Sequence, residues 1–518
     1  MSALPPSRLV AVIGAGVMGS GIAMVAAAAG HPVRLYDLQP EAAANAVAGI
    51  RRQFAKLAAR GKLSEQQAEA AANLVSPADA LDALCEAGLV IEAIVERLDA
   101  KQALFRQLEA VVADDCLFAS NTSSISITAI AAALQQPARL AGMHFFNPAP
   151  QMALVEIVSG LASAPHTLQA LTATAQAWGK TTVAARSAPG FIVNRIARPF
   201  YSESLRLAQD GIADHATLDA LLREAGGFRM GPFELMDLIG LDINFAVSQS
   251  VWQATFHDPR YTPTLTQQEM VNAGWLGRKS GRGFYHYGDG VSPPVAQSEP
   301  PQPCPLHITV FDDSVAGQAL AARLAQAGVN FSRSHAGDGC IASVAGARLY
   351  PSDGHCASRR ALESGQPELI LLDLALDYAR ATRLAIQASA GTSPAARDAA
   401  IGLLQAAGLQ VTLLPDAAGL PVLRTVAMLV NEATDLLGQG HASAHDIDTA
   451  MRLGVNYPCG PLAWGEQIGF STVRTVIRHL ADSHGEDRYR VAPLLERLHF
   501  AELCGQPAAA LYHQRGTA

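Results

Sequence analysis

Residues 8–37 hold, in order, an apolar strand pattern, a glycine-rich turn, a helix pattern of small residues and a second strand that ends on Asp37. The turn has the form G-x-G-x-x-G. Gly14 permits a tight turn, Gly16 lets a pyrophosphate approach the backbone, and Gly19 lets the helix pack close to the strand. The acid at the end of the second strand would accept hydrogen bonds from ribose hydroxyls and repel a 2′-phosphate, which favours NAD over NADP. We therefore assign these positions to NAD binding: Gly14, Gly16, Val17, Met18, Gly19 and Asp37.

The same opening implies a parallel, doubly wound sheet, and later segments continue it. Buried-strand patterns cover residues 88–96, 116–124, 139–148 and 152–160. The polar-faced stretch 40–75 predicts two helices, and the pattern is helical again from Pro189 to residue 287. Residues 288–305 are rich in proline and glycine, which is typical of an interdomain linker.

The chain after the linker resembles a degenerate second copy of the first part. An offset of 229 residues matches, without gaps, the pairs Gly190–Gly419, Arg195–Arg424, Glu203–Glu432, Asp219–Asp448, Gly231–Gly460, Pro232–Pro461 and Gly240–Gly469. Near the linker the offset is 298, so the second copy lost about seventy residues after its first strand. We expect that loss to include the counterparts of SNTSS (120–124) and HFFNP (144–148).

These patterns predict an α/β fold: a Rossmann-like doubly wound parallel sheet, an all-helical domain, and a truncated, degenerate copy of both. The expected segments are an NAD-binding domain (1–187), a helical domain (188–287), the linker (288–305), a degenerate Rossmann-like domain (306–416) and a second helical domain (417–518). A chain of 518 residues is too long for one hydrophobic core, which agrees with several domains.

Composition restricts the classes of partner. The formal net charge is −8, which argues against a nucleic-acid partner because such a partner requires a basic surface. The charge-free run 9–33 is rich in glycine and alanine, so a buried strand–turn–helix explains it better than a membrane span. The seven cysteines are dispersed without a C-x-x-C pair, which indicates reduced thiols in a cytoplasmic protein. We assign no metal ligands.

A second set of polar residues, Ser123, His144, Glu156 and Asn194, has the chemistry needed to oxidise an alcohol. Removing a hydroxyl proton requires a base, and histidine suits that role near neutral pH. His144 follows a predicted strand at the carboxyl edge of the sheet, where ligands of such folds bind. Glu156 lies on an apolar strand, where an unpaired carboxylate would be costly. Spacing alone leaves open an ordinary core histidine beside an unrelated buried acid.

Several segments together resemble the L-3-hydroxyacyl-CoA dehydrogenase family. They are SNTSS (120–124), GMHFFNPAPQMALVEIV (142–158), APGFIVNR (188–195), GPFELMDLIGLD (231–242) and GRKSGRGFY (277–285). The resemblance covers residues 5–287 well and the remainder as a degenerate repeat. It implies His144 as general acid/base and Glu156 as its orienting partner. It also implies Ser123 and Asn194 as polar groups that hold the reacting oxygen and the imidazole. For the cofactor it implies Asp37, Glu96, Lys101 and Asn121.

The resemblance also implies that the helix after Asp37 contacts coenzyme A. This helix carries the basic residues Arg51, Arg52, Lys56 and Arg60. Of these, Arg60 matches a basic position of the family, whereas Gln53 stands where the family often has serine. We assign Lys56 and Arg60 to substrate binding; a solvated helix face is the alternative.

The implied reaction converts a (S)-3-hydroxyacyl-CoA and NAD⁺ to a 3-oxoacyl-CoA and NADH. Family members of this length with a C-terminal duplication resemble the branch that acts on 3-hydroxyadipyl-CoA in phenylacetate breakdown. The alternatives are a 3-hydroxybutyryl-CoA dehydrogenase of fatty-acid metabolism and β-oxidation, and a gulonate or lambda-crystallin-like dehydrogenase. A rival from another class is a non-catalytic NAD-binding protein.

In single-copy members of the family the helical domain dimerises, so the duplication predicts an internal pseudo-dimer and leaves further homo-oligomerisation open. The glycine turn of the second copy is replaced by Phe311-Asp312-Asp313-Ser314, and Leu423 stands at the position of Asn194. Two carboxylates beside the turn would repel a pyrophosphate. We therefore expect one NAD site per chain.

Overall fold

The computed structural model describes residues 2–335 and 337–512. The chain forms two compact units: Met1–Arg195 with Gln439–Val455, and Ile196–Gly438 with Asn456–Ala518. The second unit therefore combines the first helical region, the linker and most of the second copy. In this described part of the chain, no helix is both long and apolar enough to cross a lipid bilayer.

Within the described residues the strands are β1 (Leu9–Ile13), β2 (Val33–Tyr36), β3 (Val75–Ala78), β4 (Ala87–Glu92), β5 (Leu117–Ser120), β6 (Leu140–Phe145), β7 (Leu154–Ser159), β8 (Thr181–Arg186), β9 (Ile308–Phe311), β10 (Ser332–Ser334), β11 (Ala342–Val344), β12 (Ala347–Pro351), β13 (Leu369–Leu372), β14 (Arg383–Ala388) and β15 (Gln410–Leu413).

The α-helices in the same residues are α1 (Val17–Ala28), α2 (Pro40–Ala59), α3 (Glu65–Asn73), α4 (Leu98–Val111), α5 (Ile127–Ala131), α6 (Pro165–Ala177), α7 (Val193–Ile196), α8 (Arg198–Gln209), α9 (His215–Glu224), α10 (Pro232–Ile239), α11 (Leu241–Ala254), α12 (Leu265–Asn272), α13 (Val315–Gln326), α14 (Ala357–Ser364), α15 (Pro394–Ala406), α16 (Pro421–Gly438), α17 (Ala444–Gly454), α18 (Pro461–Ile468), α19 (Phe470–His484), α20 (Pro493–Leu503) and α21 (Ala509–Tyr512).

The first sheet has eight strands in the order β3-β2-β1-β4-β5-β6-β7-β8. Its first six strands are parallel, which confirms the doubly wound, Rossmann-like arrangement. The far edge departs from the expected parallel pattern, because β7 runs antiparallel to β6 and β8 runs parallel to β7. Residues 146–153, which join β6 to β7, are too few for the crossover that a parallel connection needs.

The glycine turn shows why two of its positions exclude a side chain. Gly14 has a φ of +104°, and a Cβ there would lie 2.4 Å from the carbonyl oxygen of Ala93. A Cβ on Gly19 would lie 1.8 Å from the carbonyl oxygen of Gly14, because α1 packs directly on the turn. At Gly16, by contrast, no heavy atom lies within 4 Å of such a Cβ. Backbone atoms of the protein therefore leave no room for a side chain at Gly14 and Gly19, whereas the space beside Gly16 is open.

The second sheet has seven strands in the order β10-β9-β11-β12-β13-β14-β15. As at the edge of the first sheet, an antiparallel pair, β13 and β14, is followed by a parallel pair, β14 and β15. The offset of 229 residues that relates Gly190 to Gly419 also relates Pro165, the first residue of α6, to Pro394, the first residue of α15. The second copy therefore keeps this edge of the fold.

The same offset carries His144 to Asp373 and Glu156 to Ala385. His144 pairs with Glu156 across β6 and β7, and the Asp373 N–H donates to the Ala385 carbonyl oxygen (3.0 Å) in the second sheet. The expectation that the counterparts of SNTSS and HFFNP were lost is therefore wrong. The corresponding strands are present with altered residues, and the deletion falls earlier, between β10 and β12.

Residues 288–305 form no helix or strand. Several of their backbone groups form hydrogen bonds with other parts of the second unit. The Gln297 N–H donates to Thr217 Oγ1 (2.9 Å), and the Glu299 N–H donates to the Val411 carbonyl oxygen (2.8 Å). The segment thus runs from α9 to β15 along a surface of that unit.

We expect the Gly19→Ala variant without cofactor to be less stable than the wild type by about 1–3 kcal/mol, because its Cβ overlaps the Gly14 carbonyl oxygen. Gly16→Ala is the matched control: its Cβ meets no protein atom, so stability should be unchanged while NADH binding weakens. Thermal unfolding and NADH titration measure the two effects. Equal loss of stability in both variants would contradict this account of the turn.

Candidate active site

The candidate base His144 and the carboxylate of Glu156 face each other across two antiparallel strands. His144 in β6 is the direct cross-strand partner of Glu156 in β7. The Nδ1 atom of His144 lies 2.6 Å from Glu156 Oε2, and the two residues are 5% and 0% exposed. A buried carboxylate is tolerated when it is paired and hydrogen-bonded. The strand register therefore creates a pair that spacing alone did not establish.

The other oxygen of Glu156 binds the start of the short helix α7. Glu156 Oε1 accepts hydrogen bonds from the backbone N–H groups of Ile192 (3.1 Å) and Val193 (3.0 Å). The two residues before them, Gly190 and Phe191, have φ values of +74° and +48°. A left-handed phenylalanine costs about 1–3 kcal/mol, so the surrounding contacts must enforce it. This turn directs both N–H groups at the carboxylate.

This network decides which nitrogen of His144 can act as a base. Because a carboxylate only accepts, Nδ1 of His144 is the donor and carries the hydrogen; this tautomer is assigned from the hydrogen bonds. Nε2 then keeps its lone pair. The ring also packs against Phe146 and Phe191, with centroids 4.6 and 5.8 Å apart. An imidazole held in this way can take a proton from a hydroxyl group and return it.

The loop after β5 carries Ser123, and Asn194 of α7 lies beside this loop. Asn121 Oδ1 accepts the backbone N–H of Phe145 (2.8 Å), which ties this loop to the residue after His144. Asn194 Nδ2 donates to the carbonyl oxygen of Ser123 (3.5 Å). Asn194 directly follows Val193, whose N–H binds Glu156, so Ser123 and Asn194 lie close in space to the His144–Glu156 pair.

Glu96 holds that loop in place. Its Oε1 accepts hydrogen bonds from the N–H groups of Ser123 (2.9 Å) and Ser124 (3.1 Å) and from the Thr122 hydroxyl (2.6 Å). Burial would raise the pKa of Glu96, but the Lys101 ammonium and these hydrogen bonds outweigh it, so the pKa lies below its ordinary value. The carboxylate therefore stays ionised, and the loop stays anchored, throughout the neutral range.

Lys101 is buried and forms an ion pair with the Glu96 carboxylate that holds the loop. Its Nζ lies 2.6 Å from Glu92 Oε1 and 3.1 Å from Glu96 Oε2, and its side chain is 1% exposed. Glu92 also accepts the hydroxyl of Ser120 (2.6 Å). Glu92 is not among the residues predicted from the sequence, although a glutamate inside an apolar strand carries the same signal as Glu156.

The glycine turn and Asp37 lie at the carboxyl ends of β1 and β2. Asp37 accepts the backbone N–H groups of Ala15 (2.8 Å) and Gln39 (3.0 Å), which fixes its carboxylate beside the turn. The helix α1 begins after Gly16 with no acidic residue in its first turn and no capping side chain among the described residues. N–H groups in the first turn of a helix have no intrahelical partner. With the open space at Gly16, this cradle fits the pyrophosphate of a dinucleotide.

Val17 and Met18 complete the turn, and Val17 is largely exposed at the start of α1. Lys56 and Arg60 lie exposed at the end of α2, in its last turn and at its C-cap. No hydrogen bond or ion pair within residues 2–335 and 337–512 joins either cation to the His144 group. The structure thus leaves Lys56 and Arg60 as surface cations.

A helix of the second copy supports the candidate site within the same compact unit. A Cβ added to Gly454, at the end of α17, would lie 2.9 Å from side-chain atoms of both Leu154 and Val193. Arg195 Nη1 donates to Gln439 Oε1 (2.9 Å). Leu154 is in β7 and Val193 is in α7, so this helix packs on both elements that position Glu156. No local sequence pattern predicts this contact, because it joins segments that are distant in sequence and meet only in the folded chain.

Family models match almost the whole described chain. The NAD-binding domain of 3-hydroxyacyl-CoA dehydrogenase matches residues 9–188, and the C-terminal domain of that family matches residues 190–287 and again 419–512. A reduced Rossmann-fold domain of 3-hydroxybutyryl-CoA dehydrogenase matches residues 349–417. These matches confirm the family resemblance, the repeat and NAD as the cofactor.

Individual relatives agree with the family models. The chain is 42% identical, over 95% of its length and 97% of the relative, to the 3-hydroxyadipyl-CoA dehydrogenase of Escherichia coli (strain K12). A crystal structure of 3-hydroxybutyryl-CoA dehydrogenase from Escherichia coli K12 matches with a TM-score of 0.88 and 41% identity, covering 96% of this chain and all of that one. The (S)-3-hydroxybutyryl-CoA dehydrogenase structure from Ralstonia eutropha matches 55% of this chain and all of its own, with a TM-score of 0.53 and 38% identity.

We expect Glu96→Gln to loosen the loop 121–124, because a glutamine loses the ion pair with Lys101 and accepts the loop's hydrogen bonds at a neutral oxygen. Amide hydrogen exchange at Ser123 and Ser124 should become faster. Since the pKa of Glu96 is depressed, the wild-type loop should show the same loosening only as the pH falls below the ordinary glutamate range.

Glu109→Gln is the control for this variant. Glu109 accepts the N–H groups of Gln135 and Gln136 in another loop of the same domain. Its replacement should therefore speed amide hydrogen exchange in that loop and not at Ser123 or Ser124. Unchanged exchange at Ser123 and Ser124 in Glu96→Gln would show that Glu96 does not anchor the loop.

Proposed function

The chain belongs to the 3-hydroxyacyl-CoA dehydrogenase family, and we propose that it oxidises (S)-3-hydroxyadipyl-CoA to 3-oxoadipyl-CoA with NAD⁺. It is an NAD-dependent oxidoreductase that acts on a CH–OH group. The observation that carries the proposed mechanism is the buried pair of His144 and Glu156, which leaves Nε2 of the imidazole as a positioned base.

In the proposed mechanism, His144 Nε2 accepts the proton of the C3 hydroxyl group. Glu156 favours the imidazolium that forms, because its carboxylate already accepts a hydrogen bond from Nδ1. The Ser123 hydroxyl and the Asn194 amide hold the reacting oxygen beside the imidazole. Bound NAD⁺ supplies the hydride acceptor. In the reverse direction, His144 returns the proton to the oxygen of the 3-oxo group.

For the cofactor we propose the glycine turn and Asp37 as the binding site of the adenosine diphosphate half. The support is the open cradle at Gly16 and the fixed carboxylate of Asp37. Glu96, Lys101 and Asn121 are proposed to shape the other half, and Lys101 acts there through its ion pair with Glu96. We also propose one such site per chain.

The second glycine-turn region supports the single site. Its helix α13 is capped by its own chain, because Ser314 Oγ accepts the N–H of Gly317 (3.1 Å). Asp312 and Asp313 precede that cap, and an Arg333 guanidinium lies 3.2 Å from Asp312 Oδ2. The helix end that would receive a pyrophosphate is thus already occupied by a hydroxyl group and flanked by two carboxylates.

The choice of 3-hydroxyadipyl-CoA rests on the Escherichia coli relative of that name, which aligns along 95% of this chain, duplication included. The structure of similar length bears the name 3-hydroxybutyryl-CoA dehydrogenase, which makes the short-chain substrate the second candidate. With an adipyl substrate, the enzyme would serve phenylacetate breakdown. With a butyryl substrate, it would serve fatty-acid metabolism.

Lys56 and Arg60 on α2 are proposed to contact the phosphates of coenzyme A. The cytoplasm is the proposed location of the enzyme.

We further propose that the two helical domains (188–287 and 417–518) form an internal pseudo-dimer. The Tyr489 hydroxyl donates to Glu203 Oε2 (2.9 Å), and the Tyr261 hydroxyl donates to Glu432 Oε1 (2.5 Å). Glu203 and Glu432 are equivalent positions of the two copies. Each copy therefore offers a tyrosine to the same glutamate of the other, which is the reciprocal contact expected of a two-fold interface.

An adjacent arginine strengthens each of these contacts. Arg260 precedes Tyr261 and lies 3.3 Å from Glu432, while Arg488 precedes Tyr489 and lies 3.8 Å from Glu203. Arg424, in α16, adds a buried ion pair with Glu203 in α8 (2.8 Å). These contacts support the proposed pairing of the two helical domains through α8 and α16.

We expect His144→Gln to lower kcat by about 10²–10⁴, because general acid/base transfer contributes a factor of this size. NADH affinity should remain close to that of the wild type. His166→Gln replaces an exposed histidine of the same domain and should leave kcat unchanged. NADH absorbance during the reduction of acetoacetyl-CoA measures kcat for the wild type and both variants. Near-normal turnover in His144→Gln would remove the residue from the mechanism.

We expect 3-oxoadipyl-CoA to give the highest kcat/KM in a panel that also contains acetoacetyl-CoA and a long-chain 3-oxoacyl-CoA. A panel in which the adipyl substrate is clearly the poorest would reject the substrate assignment and leave the reaction class untouched. A free sugar acid such as gulonate serves as the negative control, and turnover of it would favour the branch that lacks a coenzyme A site.

We expect Tyr261→Phe and Tyr489→Phe to destabilise the protein by similar amounts, about 1–3 kcal/mol each, because each leaves a buried glutamate without one donor. Tyr36→Phe, whose hydroxyl makes no hydrogen bond in the described chain, should have little effect. Denaturant unfolding measures the three variants. A loss confined to one of the two interface tyrosines would argue against the pseudo-two-fold arrangement.

A further inference from the structure

Asp353 and His355 follow β12 in the second sheet, and His479 lies on α19 in the second helical region. One side-chain ligand atom from each residue lies within 4.8 Å of one from each of the other two. The chain is pressed against α19 at this point, since a Cβ added to Gly354 would lie 2.8 Å from the carbonyl oxygen of Val476. The cluster therefore joins two elements of the second unit that are far apart in sequence.

His355 is buried without a hydrogen bond. The residue is 4% exposed, and neither ring nitrogen has a hydrogen-bond partner among the described residues. Glu363 Oε2 lies 3.5 Å from its Nδ1, and its ring stacks on His479 with centroids 3.5 Å apart and an angle of 12°. Buried polar groups are almost always satisfied by protein, water or an ion. Nε2 of this buried ring has no partner among the described residues and Nδ1 has only the Glu363 carboxylate at 3.5 Å, which indicates a ligand.

His479 presents the tautomer that metal-binding histidines adopt. Its Nδ1 lies 2.8 Å from the backbone carbonyl oxygen of Asp353, which only accepts, so Nδ1 carries the hydrogen. The lone pair of His479 is therefore on Nε2. A histidine that donates one N–H to a backbone carbonyl is oriented to bind a metal through the other nitrogen.

The carboxylate of Asp353 is oriented as well. Arg360 lies 2.8 Å from its Oδ2, and its Oδ1 accepts the backbone N–H of His355 (3.1 Å). A carboxylate oxygen with one such partner still has a lone pair for a cation. The three residues thus supply two imidazoles and one carboxylate whose ligand atoms already lie close together.

We propose that Asp353, His355 and His479 bind a divalent transition-metal ion of the zinc type. Two histidines and one carboxylate suit such an ion, and three protein ligands leave a fourth position open for water. The two imidazoles turn out of their parallel stack on binding, because their lone pairs lie in the ring planes. The ion satisfies the orphaned nitrogen of His355 and links β12 of the degenerate sheet to α19.

The site lies where the second copy has lost the proposed chemistry of the first. The loop after β12 is the counterpart of the loop after β5, which carries Ser123 in the first sheet. No metal ligand is predicted from the sequence, in which position 479 is separated from 353 and 355 by more than a hundred residues. The proposed role is to stabilise the second unit, independently of the dehydrogenase reaction.

The test uses the full chain without a histidine tag, stripped with chelator and titrated with Zn²⁺ by calorimetry, and with Co²⁺ followed by its visible absorption. One ion per chain should bind with high affinity and raise the unfolding temperature. His355→Ala and His479→Ala should each weaken binding by at least about tenfold. His499→Ala, whose ring is partnered by Ser471 in the same region, should bind as the wild type does.

Asp353→Asn and His479→Gln are the conservative variants, and their unfolding temperature and acyl-CoA turnover without metal verify the fold. They should fold and turn over substrate as the wild type does, and bind the ion more weakly. Absence of stoichiometric binding to the wild-type chain would overturn the proposal. Binding that is equally strong in His355→Ala, His479→Ala and Asp353→Asn would place the ion elsewhere and overturn it as well.

Discussion

The buried carboxylate of Glu156 is the constraint on which the candidate site depends. It has no access to water, so its charge must be balanced by donors of the protein, and it has three: Nδ1 of His144 and the N–H groups of Ile192 and Val193. These donors come from β6 and from the start of α7. Satisfying one carboxylate therefore orients the proposed base, sets its tautomer and fixes the entry into the helical part of the chain.

The second copy shows what happens when this carboxylate is replaced. Ala385 stands at the position of Glu156, and Asp373 stands at the position of His144. Asp373 accepts the N–H groups of Val422 and Leu423 at the start of α16, so a buried carboxylate still caps the helix, from the neighbouring strand. Burial raises the pKa of Asp373 to about 7. The second copy thus keeps a buried carboxyl group at the start of the helix and lacks the imidazole of the proposed mechanism.

The second copy also makes packing contacts that support other parts of the chain. The helix α17 packs on β7 and α7 through Gly454, next to the carboxylate that orients His144. In the other unit, α8 and α16 carry the reciprocal contacts of Glu203 and Glu432. In the proposed pseudo-dimer, one chain supplies both halves of such contacts covalently and avoids the entropy cost of association.

The sequence by itself determined the fold class, the NAD-binding domain and the family, because these depend on local patterns: a glycine turn between a strand and a helix, apolar strands, and a glutamate inside one of them. It also located the repeat, since Gly419 and Arg424 persist at a constant offset. Only the tertiary structure decided which residues meet. Strand register placed Glu156 opposite His144 and Asp373 at the equivalent position of the second sheet. Packing buried Lys101 between Glu92 and Glu96. It also brought His479 into contact with His355. Such contacts depend on the register and packing of distant segments, which local propensity does not specify.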